Sequence, residues 1–79
     1  ALDDLEPMLV ELRGLPSLQE KSRGTFYRRG KAFLHFHEDP SGHHVDVRFD
    51  QDFEPFRVQT RAEQRRIVTL VRKALSGDG

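Results

Sequence analysis

Four histidines fall within ten residues of this 79-residue chain, at positions 35, 37, 43 and 44. Imidazole nitrogens and carboxylate oxygens are the donors that zinc, nickel and copper bind in proteins. A spacing of two residues puts His35 and His37 on the same face of a strand. The sequence indicates no cofactor apart from one candidate divalent metal, whose ligands would be His35, His37, His44 and Asp46, with the loop residue His43 nearby.

General acid–base catalysis is a second chemistry that the pair His35 and Asp46 could perform. No pattern places Ser41 or Thr25 beside that pair as a nucleophile. The GxGxxG, P-loop, GxSxG and HExxH motifs are absent from the sequence. We therefore favour a binding domain without catalytic residues. The alternative is a small metal- or histidine-dependent enzyme that uses the same side chains.

Two helices and four strands are expected to position these residues. Leucines spaced by three and four residues predict a first helix over residues 4–13, with Asp3 as its N-cap. The capping pair Thr60 and Glu63 opens a last helix with an apolar face. The strands are expected at residues 25–28, 31–37, 44–50 and 56–59, after a connector over residues 15–24. This α-β-β-β-β-α order predicts a single α+β domain over residues 1–79, in which a four-stranded antiparallel meander carries both helices on one face.

The alternation of apolar residues predicts how the two central strands pair. Setting Leu34 opposite Val47 makes one face of the sheet apolar and brings the histidines to the other face. In this register His37 lies opposite His44. The outer face is then a candidate binding surface, and its residues are Phe26, Arg28, Lys31, Phe33, His35, His37, His44, Asp46 and Arg48.

Two phenylalanines on that outer face are typical of an interface with an apolar centre and a charged rim. Phe26 and Phe33 are expected side by side, so we predict weak self-association into a homodimer, or binding of a protein or small ligand. Acid charges histidines, so the complex should be tighter at about pH 8 than at about pH 5.5. A Phe33→Asp substitution should abolish it and leave the fold intact. The alternative is a solvated face held by cross-strand pairs such as His35 with Asp46.

Charge and composition argue against other classes of partner. Thirteen basic and thirteen acidic residues give no net charge, so nucleic acid is an unlikely partner, although arginines on the last helix could contact phosphates weakly. Acidic and basic blocks alternate along the chain, as they do where neighbouring elements attract each other. No apolar run is long enough for a membrane span, and no export signal is visible, so we expect no membrane partner and a cytoplasmic location.

Two family resemblances support the same fold class. The segments Leu15-Pro16, Glu20-Lys21, Gly24-Thr25-Phe26, Gly30-Lys31-Ala32-Phe33 and His37-Glu38-Asp39 resemble the YjbR/MmcQ-like family over roughly residues 15–50. The longer aromatic C-terminal half of that family is not evident here. His35-Phe36-His37, followed by a strand and a closing helix, is similar to the small luciferase-related domain. The resemblances imply a small α+β domain, and no activity or site residue is carried over from them.

Overall fold

A five-stranded antiparallel sheet lies between the two helices in the chain order. The computed structural model describes residues 2–78, and the side chains of residues 3–77. The elements are a 3-10 turn at Leu2–Leu5, α1 (Glu6–Arg13), β1 (Leu18–Ser22), β2 (Thr25–Arg28), β3 (Lys31–Asp39), β4 (Gly42–Val47), β5 (Glu54–Arg57), α2 (Arg61–Leu75) and a 3-10 turn at Ser76–Asp78. Neighbours in sequence pair as neighbours in space, so the sheet is a meander. The α+β class is confirmed, with five strands rather than four.

The additional strand, β1, corrects the expectation of a connector over residues 15–24. Leu18 is buried in the core, and Glu20 lies opposite the buried Phe26. The carboxylate of Glu20 also accepts the backbone N–H of Gly24 at 3.0 Å, in the turn that leads to β2. A polar residue at a helix-facing position hides the alternation by which strands are recognised, which is why the sequence did not reveal this one.

The two helices differ in how they begin. The capping pair predicted for α2 is confirmed, because the Thr60 hydroxyl accepts the Glu63 N–H at 3.1 Å and the Glu63 carboxylate accepts the Thr60 N–H at 2.9 Å. The predicted Asp3 N-cap is wrong, since the chain there forms a 3-10 turn and α1 begins after Leu5, without a side-chain cap. None of the described helices is long and apolar enough to cross a membrane.

One hydrophobic core joins both helices to one face of the sheet. In the sheet it contains Leu18, Phe26, Phe33, Leu34, Val45 and Val47, and Phe36 packs against it. The helices and turns contribute Leu5, Met8, Leu9, Leu12, Val58, Ile67, Val68, Val71 and Leu75. The predicted pairing of β3 with β4 is confirmed residue by residue, from Leu34 with Val47 to His37 with His44. His35, His37 and His44 therefore lie on the sheet face opposite the helices.

A β-bulge changes the register between β2 and β3. Phe26 lies opposite Leu34, but the next pair is Tyr27 with Ala32, so Phe33 has no partner in this ladder. A bulge interrupts the alternation of side chains between the two faces. Phe33 and Leu34, although adjacent in sequence, are both buried. The expectation that Phe26 and Phe33 lie on the outer face is therefore wrong: they are 0% and 2% exposed.

Five charged residues tie the N-terminal segment to the β1–β2 hairpin. The guanidinium of Arg13 donates to Glu20 at 2.5 and 3.3 Å and to Glu6 at 2.7 Å. Arg23 donates to Asp3 at 2.8 Å and to Glu6 at 2.9 Å. The acidic beginning of the chain thus pairs with the arginine at the end of α1 and with the first base-rich hairpin. This is the attraction between neighbouring elements that the charge blocks predict.

Acid should weaken this network. Hydrogen bonds from Arg13 hold the pKa of Glu20 below its usual range, and bonds from Arg13 and then Arg23 do the same for Glu6. Carboxyls with a lowered pKa in the folded state stabilise it fully above their ordinary pKa of about 4.5, and that stabilisation is lost as the pH falls further. We expect Glu20→Gln to be less stable than the parent at pH 7, with the difference shrinking towards about pH 3.

Urea unfolding at several pH values measures this difference. Glu54→Gln is the matched control, because Glu54 is an exposed carboxylate on β5 outside this network. A constant gap between Glu20→Gln and the parent across the acid range would contradict the assigned role of the Arg13–Glu20 pair.

Candidate functional site

The exposed face of the sheet carries a row of imidazoles beside Asp46. His35 and His37 come from β3, and His44 and Asp46 from β4, where strand pairing fixes their spacing. Asp46 lies between two rings: one carboxylate oxygen is 3.0 Å from Nε2 of His35 and the other is 3.3 Å from Nε2 of His37. The His35–Asp46 pair expected from the sequence is therefore present. A carboxylate held against an imidazole in this way fixes the orientation of the ring.

Three potential metal donors converge at one end of this row. Each of the residues His37, Asp39 and His44 offers one donor atom, and these three atoms lie within 4.8 Å of one another. We call these three residues the donor cluster. The rings of His37 and His44 are stacked, with centroids 5.4 Å apart and planes inclined by 17°. Nδ1 of His44 lies 3.7 Å from one oxygen of Asp39 and 3.2 Å from the carbonyl oxygen of Gly42.

Asp39 is held in place by the turn between β3 and β4. One of its carboxylate oxygens accepts the backbone N–H of Ser41 at 2.8 Å and the Ser41 hydroxyl at 2.5 Å. These hydrogen bonds, led by the one from the Ser41 hydroxyl, hold the pKa of Asp39 below its usual range. The residue is therefore a carboxylate at neutral pH, with its other oxygen facing His44. A fixed anion beside two imidazoles suits a divalent cation.

The donor cluster differs from the set expected from the sequence. His37 and His44 belong to both, but Asp39 takes the place of Asp46, and His35 lies further along the row. The sequence placed Asp39 in a turn, whereas β3 continues to this residue. The alternation of positions 35, 37 and 39 is the signal that could have identified it. The remaining histidine, His43, is buried on the opposite side, within 3.4 Å of Asp4 and 3.5 Å of Glu38.

Phe53 is an aromatic residue beside the histidine row that the sequence did not single out. Its ring lies 5.5 Å from that of His35, and the guanidinium of Arg48 lies 5.4 Å from its centroid. The ring of Phe33 has the guanidinium of Arg28 above it, 5.6 Å from its centroid. The two phenylalanines proposed as the apolar centre of an interface are buried, and the partly exposed ring of Phe53 lies beside His35 instead.

A hydroxyl does lie in register with the acid–base pair. Thr25 of β2 is the cross-strand partner of His35, so Thr25, His35 and Asp46 follow one another across three strands. The side chain of His35 is 41% exposed. Nucleophilic catalysis relies on a hydroxyl bonded to its base and on donors that stabilise the developing oxyanion. The row of side chains supplies one part of such an arrangement, an imidazole oriented by a carboxylate. The donor cluster beside it offers atoms that can bind a metal.

Three other residues of the expected binding face lie at one end of the sheet. Arg28 ends β2, Lys31 begins β3, and Arg48 follows β4. They line a depression there rather than surrounding the histidines.

Comparison of this chain with family models, curated proteins and solved structures finds no match. The resemblances to the YjbR/MmcQ-like family and to the luciferase-related domain therefore stay predictions. The chemistry of the site rests on its own geometry, which is that of an exposed sheet face with two imidazoles and a fixed carboxylate gathered at one end.

Proposed function

We propose that this chain is a small binding domain that holds one divalent transition-metal ion, zinc in the first instance, on the exposed face of its sheet. The ligands are His37, Asp39 and His44. The observation that supports the proposal is the convergence of their donor atoms within 4.8 Å. The metal ion is thus the species that the protein binds at its exposed sheet face.

The spacing of the donors is close to what zinc requires. Nitrogen and oxygen ligands lie about 2.0–2.1 Å from zinc, so donors in a tetrahedral site are about 3.4 Å apart. The donors of the cluster need to approach one another by at most about 1.4 Å, which side-chain rotation on fixed strands can supply. Asp46 supports the site from outside, because it holds Nε2 of His37 as carboxylates hold metal-binding histidines elsewhere.

Three protein ligands leave a fourth position of a tetrahedral metal open. Structural zinc sites are normally closed by four protein ligands, whereas open sites accept water or a ligand group. A metal at the donor cluster would therefore present one exchangeable position to the solvent. Binding through Phe26 and Phe33 is not proposed, because both rings are buried.

Isothermal titration of zinc into protein freed of any affinity tag tests the proposal. We expect one zinc per chain, with binding lost in both His37→Ala and His44→Ala. Asp46→Asn should keep the stoichiometry but weaken binding by about 10- to 100-fold, because the ring of His37 loses its orienting partner.

His35→Gln is the matched control, since it removes a histidine of the same row that lies outside the donor cluster. It should bind one zinc much as the parent does. Weak binding of several ions, or equal losses in His35→Gln and His37→Ala, would contradict the assigned ligand set.

A further inference from the structure

Basic side chains form half of the lining of a depression at one end of the sheet, separate from the donor cluster. Four cationic residues surround it, namely Arg28, Arg29, Lys31 and Arg48, and one carboxylate, Asp50, shares the lining. Its volume is about 510 Å³. We propose that this basic depression binds the phosphate group of a small phosphorylated molecule.

The backbone brings the four cationic residues to one end of the sheet. Arg29 and Gly30 form a two-residue turn with φ values of 53° and 78°, which are the left-handed angles that a tight hairpin turn requires. This turn places three of the cations within four consecutive residues. Arg48 arrives from the next hairpin, where its N–H donates to the carbonyl of Phe33 at 2.8 Å. The cluster is therefore carried by hydrogen-bonded strand ends.

Aromatic rings form the floor of the depression. Phe33 and Phe49 meet edge to face with centroids 6.3 Å apart, and Phe49 meets Phe56 in the same way at 5.8 Å. The guanidinium of Arg28 lies over Phe33 at 5.6 Å. A guanidinium stacked on a ring keeps its N–H donors at its edge, where they can bond two oxygens of one phosphate.

The charge of the depression is a local property, because the chain as a whole has no net charge. Phosphate carries up to two charges and several acceptor oxygens, and arginine matches its geometry. The volume lies within the range of about 300–1,000 Å³ typical of small-molecule sites. A neutral chain favours such a ligand over a polynucleotide, whose binding depends on many phosphate contacts.

Pyrophosphate is the probe for a test by nuclear magnetic resonance, titrated at constant ionic strength into ¹⁵N-labelled protein. Shifts are expected at the amides of residues 28–31 and 48–51. Lys31→Gln and Arg48→Gln should each weaken binding by about tenfold, the usual cost of losing a charged hydrogen bond. Lys73→Gln, which removes an exposed cation of α2, is the matched control and should bind as the parent does.

Two further titrations separate this proposal from its rivals. His37→Ala, which lacks the proposed metal site, should bind pyrophosphate as the parent does, and loss of binding there would assign the anion to the donor cluster. A thymidine 12-mer should bind more weakly than pyrophosphate. Tighter binding of the 12-mer, reduced as much by Lys73→Gln as by Arg48→Gln, would overturn the proposal in favour of non-specific nucleic-acid contact. Shifts reproduced by sodium chloride alone would also overturn it.

Discussion

The Phe33→Asp variant should lose most of its free energy of unfolding. Phe33 is 2% exposed and packs in the core beside Phe49. Removing a buried phenylalanine ring costs about 3–5 kcal/mol, and a charge left in its place adds a further penalty. Small domains are stable by about 5–15 kcal/mol in total, so little or no cooperative transition should remain. Circular dichroism during urea or thermal unfolding measures the loss.

Phe53→Asp is the matched control for this substitution. It makes the same chemical change at a ring that is 39% exposed on the outer face. We expect it to change the free energy of unfolding by less than about 1 kcal/mol. Phe33→Leu, which keeps an apolar side chain, should retain a cooperative transition between those of the parent and Phe33→Asp. If Phe33→Asp were as stable as Phe53→Asp, Phe33 would lie on the outer face, as the alternation of the sequence alone suggests.

The sequence was sufficient to predict the structure where one local pattern decided it. The capping pair Thr60 and Glu63 opens α2 as predicted, because both of its hydrogen bonds are formed within four residues. The pairing of β3 with β4 is also as predicted, because a shift by one residue would bring Val45 and Val47 to the outer face.

The sequence was insufficient where the structure depends on contacts between distant residues. In β1 the helix-facing position is held by Glu20, whose partner Arg13 lies in α1. No periodicity within the segment records that pairing. The bulge that buries Phe33 depends on how β2 packs against β3, and the residue types of both strands fit a regular ladder equally well. The Glu20–Arg13 pairing explains why β1 was not predicted, and the bulge explains why Phe26 and Phe33 were predicted on the outer face.

The candidate site was recognised in outline for a physical reason. Histidines are uncommon enough that a row of them at alternate positions indicates a shared face. Which carboxylate joins them depends on where β3 ends, and strand ends are less clearly marked than strand centres. Asp39 therefore escaped notice, although it lies two residues beyond His37.

Saturation with zinc should raise the thermal midpoint of the parent and leave that of His44→Ala unchanged. A ligand that binds only the folded state, at about a hundredfold its Kd, stabilises that state by about 2.7 kcal/mol. For a domain of this size each kcal/mol corresponds to about 4–8 °C, so the expected shift is about 10–20 °C. The shift should shrink as the pH is lowered, because protons compete with zinc for the imidazole nitrogens.

The metal-free protein should nevertheless unfold cooperatively. The donor cluster links β3 to β4, which the backbone ladder already joins from Leu34 to Asp39. The core that holds the helices lies on the other face of the sheet and contains none of the three donors. Zinc should therefore stabilise a fold that exists without it, unlike a small zinc domain that is unfolded when empty. Calorimetry after treatment with a chelator distinguishes the two cases. A chain that loses its transition without zinc would make the metal structural and would contradict an exchangeable ion at an open site.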